Sequence, residues 1–403
     1  MSRGRVAAAL AHQNASLLQS ITREFAAMRG TSASQPRYAA AMATYRNTLV
    51  DAVHANAAAI EAVFGPADTG LLTNMLLTFR GTEVYDGLGS LWRHLAKDWT
   101  SEGEAAQAAL RTTIVQMVSE ECARLQRSGA HTATSEDPLR IVVPGCGQAR
   151  LACDIALALC EQIPTGASEV VGIERSAAQL AFARHFLGTT RQDGMPPQPA
   201  ELAFHPWLDA FPNNLDTRSR AARLTARGLA APPPNLTLHE AAFGAHPMPP
   251  PATRPHVCVT SFFLDCVPEV SEGVQQIRDA LRPGGLWIFA GPLHFYQGGE
   301  YEPRPSPSAA QLLELVQDHG FVLEPVAMAG AEGARAEGGS VPVMELQQAP
   351  LLPGVALVPA PYVARPGAFL DEAAWRVPLF AARKSNSMDK LRGGNVPRRR
   401  FAT

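Results

Sequence analysis

The sequence carries little net charge and few charged residues for its length. Its 403 residues include 35 Lys and Arg against 37 Asp and Glu, a formal net charge of -2, and charged residues make up 18% of the chain. This balance predicts no general attraction to nucleic acid or to an anionic membrane surface. The chain has no apolar run of about 18 residues, so we expect no membrane-spanning helix. Hydrophobic residues, at 46%, are numerous enough for a sizeable core.

Cysteine is scarce, and its spacing does not match that of a metal site. The six cysteines form no C-x-x-C pair, which predicts a reduced, cytoplasmic protein without a zinc site. Cys153 and Cys160 are seven residues apart, a spacing that favours two core positions on one helix. The segment before Glu24 contains no acidic residue, as in organelle-targeting sequences, although an ordinary helix is the favoured interpretation.

The stretch that organises the chain alternates apolar runs with glycine. The β-branched run at 140–143 is followed at once by Gly145 and Gly147, and a second apolar run at 170–173 ends on Glu174. Between the two runs, apolar residues recur at helical spacing: Leu151, Ile155, Leu159 and Ile163. The pattern predicts a strand–turn–helix–strand unit in a parallel sheet.

The turn lacks the third glycine of dinucleotide-binding proteins, and Arg150 lies near its place. Glu174 also comes later than the roughly 20-residue spacing of that pattern. Glycine lets the backbone approach a ligand, and a carboxylate at the tip of the second strand can accept the hydroxyl hydrogens of a ribose. A nucleoside ligand without pyrophosphate, S-adenosylmethionine (SAM), fits better than a nicotinamide dinucleotide. A turn that merely packs helix on strand is the alternative.

The remainder of the chain divides by composition. We predict a poorly defined segment at 1–35, a helical region at 36–127, an α/β domain at 128–384 and a basic disordered tail at 385–403. Proline-rich (188–256) and Gly/Ala/Pro-rich (328–361) stretches are expected to be insertions. Further strands are predicted at 235–243, at 256–264 (ending on Asp265), after the LRPGG sequence, and at 321–327 and 377–383, the last two forming an antiparallel edge.

Several motifs together resemble the carnosine N-methyltransferase (N2227-like) family of class I SAM-dependent methyltransferases. They are LAKDWTSEG, VPGCGQARLA, GIERS, PWLDAFPNN, VTSFFLD, LRPGGLWIFAGPL and PLFAARK. The resemblance covers about residues 36–384 without the two insertions. It implies a Rossmann-like, mostly parallel sheet with an antiparallel edge strand and an N-terminal helical region.

The resemblance also implies site residues. Those expected to bind SAM are His94, Lys97, Gly145, Gly147, Glu174 and Phe243. His94 and Lys97 stand where the family has Gln and Arg. Those expected to bind substrate are Asp265, His294, Tyr296, Tyr362 and Trp375. His294 lies two positions before the family histidine, whose place Tyr296 takes. Ala242 replaces an aspartate expected to hold the adenine amino group, and Glu240 is a candidate substitute.

The implied reaction is methyl transfer from SAM, without a metal, to the imidazole nitrogen of carnosine or a related small histidine-containing molecule. Asp265 would accept the imidazole N–H, fixing the tautomer and stabilising the cation that methylation creates; taken alone, it could be a helix N-cap. The alternatives are another small amine or a protein histidine as acceptor, and a pseudoenzyme that keeps the fold for binding. The resemblance suggests a homodimer, with neither nucleic acid nor membrane as partner.

Overall fold

The structure is a computed structural model that describes residues 3–26, 35–65, 87–188, 199–209, 219–245, 250, 253–293, 306–326, 352–361, 363 and 376–385. Among the described residues, four helices precede the sheet: α1 (Arg3–Ala26), α2 (Pro36–Phe64), α3 (Leu88–Trp99) and α4 (Ser101–Arg127). Thr100 separates α3 from α4. Its hydroxyl accepts a hydrogen bond from the Gly103 N–H at 3.0 Å, which caps α4.

Strands and helices then alternate through the α/β part. They are β1 (Leu139–Pro144), α5 (Arg150–Gln162), β2 (Ser168–Glu174), α6 (Ala177–Leu187), β3 (Glu201–Phe204), β4 (Leu224–Arg227), β5 (Leu236–Glu240), β6 (Val257–Ser261), α7 (Val270–Ala280), β7 (Leu286–Ala290), α8 (Ala309–Asp318), β8 (Phe321–Glu324), β9 (Val355–Pro359) and β10 (Arg376–Lys384).

The main sheet has the order β5-β2-β1-β6-β7-β10-β8, and β9 also pairs with β10. Strands β5, β2, β1, β6 and β7 pair in parallel, whereas β10 is antiparallel to β7, β8 and β9. This confirms the Rossmann-like class I methyltransferase sheet. The antiparallel strand β10 lies one place in from the edge, which β8 forms.

Strand register brings the carboxyl ends of β1 and β2 together. Pro144 of β1 pairs with Ile173 of β2, one residue before Glu174. On its other side β1 pairs with β6, with Val142 opposite Cys258. The chain therefore runs to opposite sides of β1, and ligands of open α/β sheets bind at such a switch point.

Apolar packing covers both faces of the sheet. Ile141 and Val143 pack with residues of α4 and α5 on one face, and Val142 and Cys258 pack with residues of α7 and α8 on the other. A third cluster joins α1–α3 to α6, where the Trp92 ring lies 5.6 Å from Phe182. Burying these side chains supplies the hydrophobic stabilisation that positions the helical region against the sheet.

Several sequence predictions are corrected by the structure. The central strand ends at Ser261 and not at Leu264. The segment 188–256 contains, besides the predicted strand β5, an antiparallel hairpin of β3 and β4 that was not predicted, and 328–361 ends in the unpredicted strand β9. Residues 3–26 form α1, which agrees with the favoured interpretation of the N-terminal segment as an ordinary helix. Cys153 is buried, but Cys160 is exposed and is not a core residue. Residues 66–86 of the region predicted to be helical lie outside the described residues.

Candidate active site

The turn after β1 is left-handed at both glycines. Gly145 has φ of 61° and Gly147 has φ of 55°, a region that favours glycine over residues with a Cβ. An alanine Cβ at Gly145 would lie 2.5 Å from Cδ2 of Phe263. At Gly147 a Cβ would meet no heavy atom within 4 Å in the described part of the chain. The turn therefore brings bare backbone to an open space at the sheet edge.

The Glu174 carboxylate faces this turn from the end of β2. Its Oε2 accepts a hydrogen bond from the Gly147 N–H at 3.0 Å, and its Oε1 accepts one from the Ser176 N–H at 2.8 Å. Charged acceptors form the stronger hydrogen bonds of proteins. The two backbone donors hold the carboxylate beside the turn, where a ribose could be bound.

The glycine turn, the Glu174 carboxylate and the helical region border one cleft. Its volume is about 1160 Å³ when the part open to solvent is included. Five of the predicted SAM-binding residues line it: His94, Lys97, Gly145, Gly147 and Glu174. Several other lining residues had no role predicted from the sequence; they are Asp98, Gln107, Arg111, Arg175, Gln179, Ser261, Phe262 and Cys266. The structure thus brings most of the predicted cofactor residues together.

Helix α3 presents three polar side chains to the cleft, those of His94, Lys97 and Asp98, and all three contact protein groups. His94 Nδ1 lies 2.7 Å from Gln179 Nε2 on α6. Lys97 Nζ pairs with the carboxylate of its neighbour Asp98, and both side chains are largely buried. The cleft wall is therefore polar on the side of the helical region.

The helical region is hydrogen-bonded directly to the glycine turn. Trp99 Nε1 donates to the carbonyl oxygen of Gln148 at 3.1 Å, and Gln148 Nε2 donates to the Leu91 carbonyl at 3.1 Å. The guanidinium of Arg150 lies 5.4 Å from the centroid of the Trp99 ring, a cation–π arrangement. The buried Trp99 side chain therefore packs in the core and also fixes the turn through its N–H.

Cys146 lies inside the turn and lines the cleft. Burial under its neighbours, followed by the nearby Glu174 charge, raises the pKa of the Cys146 thiol well above its ordinary value, although the residue keeps partial exposure. A protonated thiol is a poor nucleophile. We assign Cys146 no chemical role.

Asp265 lies four residues beyond β6 and not at its end. Phe262 interrupts the strand with a left-handed φ of 52°, and a 3₁₀ turn at Leu264–Cys266 carries Asp265. The N-cap of α7 is Glu269, so Asp265 does not cap that helix. Phe262 and Cys266, on either side of Asp265, line the cleft, whereas Asp265 itself is half-buried beside it.

The residues expected near the adenine, Phe243 and Glu240, do not line the cleft. Phe243 does not line the cleft directly; its ring packs edge-on against Phe263, at 5.8 Å and 89°. Strand β5 ends at Glu240, and Ala241 is the residue of this segment that reaches the cleft wall. Glu240 is not a lining residue. The predicted substrate residues His294, Tyr296, Tyr362 and Trp375 lie outside the described residues.

The described ranges contain neither a metal-binding cluster nor a membrane-spanning helix. No group of three or more His, Cys, Asp or Glu side chains is arranged to hold a metal ion. Among the helices described, none is both long and apolar enough to cross a membrane.

Comparison with known proteins identifies the family. The sequence model of the carnosine N-methyltransferases matches residues 82–329, more than half of the chain. The chain belongs to the carnosine N-methyltransferase family. The match begins before α3 and extends beyond β8. It therefore includes helices α3 and α4, the glycine turn and most of the sheet around the cleft.

Curated carnosine N-methyltransferases also match the chain, at modest sequence identity. Carnosine N-methyltransferase unmet of Drosophila melanogaster is 25% identical over 238 residues, which are 57% of this chain and 46% of that protein. Carnosine N-methyltransferase of Mus musculus is 23% identical over 249 residues, 59% of this chain and 55% of that protein. The chain thus spans about half the length of the curated relatives that it matches.

Among solved structures, an S-adenosylmethionine-dependent methyltransferase from Mesorhizobium loti aligns at 17% identity. It covers 62% of this chain and 93% of its own length, with a TM-score of 0.31. A likeness at that level carries no weight for function. The fold of this carnosine N-methyltransferase family member is established by its own strand order and directions.

Proposed function

We propose that this chain is a SAM-dependent methyltransferase that acts on an imidazole nitrogen of carnosine or a related small histidine-containing molecule. The observation that carries the proposal is the Glu174 carboxylate held against the Gly147 N–H at the switch point of the sheet. Family membership supports the choice of reaction, and the family name supports the choice of substrate.

The residues around the cleft fit SAM as the methyl donor. Glu174 would hold the ribose hydroxyls, the backbone at Gly145 and Gly147 would border the nucleoside, and α3 would close the cleft with His94 and Lys97. When bound, SAM supplies an electrophilic methyl group. The protein's task is then to position an acceptor nitrogen at about 3–3.5 Å and to exclude water.

We propose that Asp265 orients the acceptor. A histidine-type imidazole has a pKa near 6.5, so much of it is neutral near pH 7 and needs no strong base. A carboxylate that accepts one ring N–H leaves the lone pair of the other nitrogen available. It also stabilises the positive charge that methylation places on the ring. Asp265 stands in the turn between the cleft-lining residues Phe262 and Cys266.

The decisive experiment is transfer of a labelled methyl group from SAM to carnosine, followed by mapping of the methylated nitrogen. We expect transfer to the imidazole, and a large loss of kcat in Asp265→Asn with SAM affinity unchanged. Asp279→Asn, at a half-exposed carboxylate that does not line the cleft, is the matched control. SAM binding without transfer to carnosine would refute the substrate and direct the search to another small amine or a protein histidine.

A pseudoenzyme is the second candidate, and two observations favour it. His94 and Lys97, which differ from the family residues, contact Gln179 and Asp98, and Ala242 brings no carboxylate to the adenine side. A pseudoenzyme of this kind would bind SAM poorly or not at all. Calorimetric titration with SAM separates the two candidates, since the methyltransferase must bind it.

A further inference from the structure

Arg111 is a buried cation in the cleft whose hydrogen-bonding capacity is mostly unused. It lies on α4, where Gln107, Leu110 and Ile114 on the same helix face also line the cleft. Its residue exposure is 9%. Nη2 donates to the Glu104 carbonyl at 3.3 Å, while Nε and Nη1 have no hydrogen-bond acceptor among the residues described.

The nearest carboxylate does not satisfy Arg111. Asp154 Oδ2 lies 3.4 Å from Arg111 Nη1, but Asp154 Oδ1 accepts a shorter hydrogen bond, at 2.9 Å, from Arg150 Nε. One carboxylate is thus shared by two guanidinium groups, and Arg150 takes the better geometry. Arg111, Arg150 and Asp154 together carry one net positive charge. The nearby Glu104 is not counted because its side chain is largely exposed; its Oε1 lies 3.5 Å from Arg150 Nη2.

A buried arginine with free donors is costly unless something accepts from them. Guanidinium offers five N–H donors in a planar fork and no acceptor. Burying a charge and leaving its donors unsatisfied costs folding free energy. A planar carboxylate is the complement that takes two such N–H groups at once. Nε and Nη1 are themselves buried, but Arg111 lines the cleft, so a ligand in the cleft can supply an acceptor to its guanidinium.

We infer that Arg111 binds the carboxylate of an amino-acid ligand in this cleft, and that the methionyl carboxylate of SAM is its first source. This inference rests on the proposed function. Asp154 and Arg150 belong to the first turns of α5, the helix that follows the glycine turn. That places the Arg111 cluster beside the turn, where the amino-acid end of a nucleoside bound by Glu174 and Gly147 would lie. A carboxylate of carnosine is the second source of the same chemistry.

The test compares ligands that differ by the carboxylate-bearing part. Affinities of wild type, Arg111→Met and Arg111→Lys are measured by calorimetry for S-adenosylhomocysteine and for 5′-methylthioadenosine, which lacks the amino-acid portion. We expect Arg111→Met to lose about 10- to 100-fold in affinity for S-adenosylhomocysteine, the range for charge-assisted hydrogen bonds, with affinity for 5′-methylthioadenosine unchanged. Arg111→Lys should retain part of the affinity because the charge remains.

A second set of measurements tests whether the carboxylate bound by Arg111 belongs to the acceptor substrate and not to SAM. If Arg111 binds the acceptor's carboxylate, S-adenosylhomocysteine affinity stays unchanged in Arg111→Met. The KM for carnosine then rises, while that for its decarboxylated analogue, β-alanylhistamine, does not. Arg93→Met removes an arginine from the exposed pair with Asp209, away from this cleft, and is the matched control. Thermal unfolding without ligand checks that each variant folds.

The outcomes separate the two proposals. If wild type binds S-adenosylhomocysteine and neither set of measurements responds to Arg111→Met, the role of Arg111 is refuted while the methyltransferase function stands. An equal loss for both nucleosides would show a general disturbance of the cleft and would also refute it. Failure of wild type to bind S-adenosylhomocysteine overturns the proposed function and this inference with it.

Discussion

Glu174 Oε2 accepts a hydrogen bond from the Gly147 backbone N–H at 3.0 Å, so the end of β2 is fixed to the turn that follows β1. The second oxygen is engaged by Ser176 N–H at 2.8 Å. A carboxylate oxygen can accept more than one hydrogen bond. Glu174 can therefore keep both backbone contacts and still accept the two hydroxyl hydrogens of a ribose.

Replacement of Glu174 by glutamine should weaken nucleoside binding. The amide has one acceptor oxygen, and its NH₂ group would face a backbone N–H that now donates to the carboxylate. We expect Glu174→Gln to lose about 10- to 100-fold in affinity for S-adenosylhomocysteine, as expected for charged acceptors. Calorimetry measures the loss. Glu169→Gln, near the other end of β2 and 42% exposed, is the control. Equal affinities in both variants would exclude the ribose role.

The two glycines of the turn should respond differently to alanine. Both have left-handed φ values, so each substitution costs about 1–2 kcal/mol of backbone strain. At Gly145 the new Cβ also meets Phe263 at 2.5 Å, which adds about 1–3 kcal/mol of overpacking. At Gly147 the Cβ enters the open cleft. We expect Gly145→Ala to lower the unfolding free energy more, and Gly147→Ala to lower ligand affinity with a smaller loss of stability.

Urea unfolding and calorimetry on the two variants test this difference, with each glycine serving as the other's control. Equal losses of stability would mean that Phe263 moves aside at little cost. A Gly147→Ala variant with wild-type affinity for S-adenosylhomocysteine would place the ligand away from the turn.

The parts of the site that the sequence predicted are those built from local patterns. The apolar run at 140–143, the glycines and Glu174 are adjacent in sequence to the strands that position them, so the switch point follows from the order of elements. LRPGG marked the turn into β7 because proline and glycine constrain the backbone locally.

The missed parts depend on contacts between distant residues. The hairpin of β3 and β4 pairs segments 20 or more residues apart within a proline-rich stretch, with Glu201 opposite Arg227. Arg111 appeared as an ordinary polar residue on α4, because helical spacing does not show which face meets the cleft. The apolar run at 256–264 concealed the left-handed Phe262, because aromatic residues favour extended structure.

His256 should make the protein less stable in acid. Its ring accepts from the Arg140 N–H at 3.1 Å through Nδ1, lies beside the Arg282 guanidinium and is 4.3 Å from the His131 ring. Burial, then the Arg282 and His131 charges, lower the pKa of His256 to about 3, with Asp137 opposing the shift. The unfolded chain binds the proton near 6.5. Stability is therefore full above pH 6.5 and decreases as the pH falls toward the folded pKa.

Replacing His256 should flatten this acid dependence. Between about pH 6 and 4 the unfolding free energy of wild type should fall with decreasing pH more steeply than that of His256→Gln. We expect the two slopes to differ by about 1 kcal/mol per pH unit. Urea unfolding across that range measures the slope. His54→Gln, at an exposed position on α2, is the control. Identical slopes in wild type and His256→Gln would show that His256 accepts a proton in the folded state.

Loss of the Glu121 charge should be the most damaging of these changes to stability. The Glu121 side chain is 4% exposed. Its carboxylate accepts hydrogen bonds from Arg383 Nη1 at 2.8 Å and from Arg124 Nε at 2.7 Å, and the Arg383 contact links α4 to β10. Burial raises the pKa of Glu121, but the hydrogen bonds from Arg124 and Arg383 outweigh it, and the pKa lies below its ordinary value of 4.5. The network therefore stabilises the protein fully above pH 4.5, and its contribution is lost as the pH falls through the lower folded pKa.

Glu121→Gln would leave two arginines beside a neutral amide in a largely buried position. Removing one partner of a fully buried pair typically costs about 3–5 kcal/mol, and the low end of that range applies here because Arg383 keeps Glu324 and the Arg124 side chain is 45% exposed. We expect a loss of that order near neutral pH by urea unfolding, and a smaller difference from wild type below pH 4.5, where Glu121 itself becomes protonated. Glu120→Gln, at the preceding exposed position of α4, is the control. If both variants unfold at the same urea concentration, Arg383 keeps enough stabilisation from Glu324 and the Gly284 carbonyl to make Glu121 dispensable.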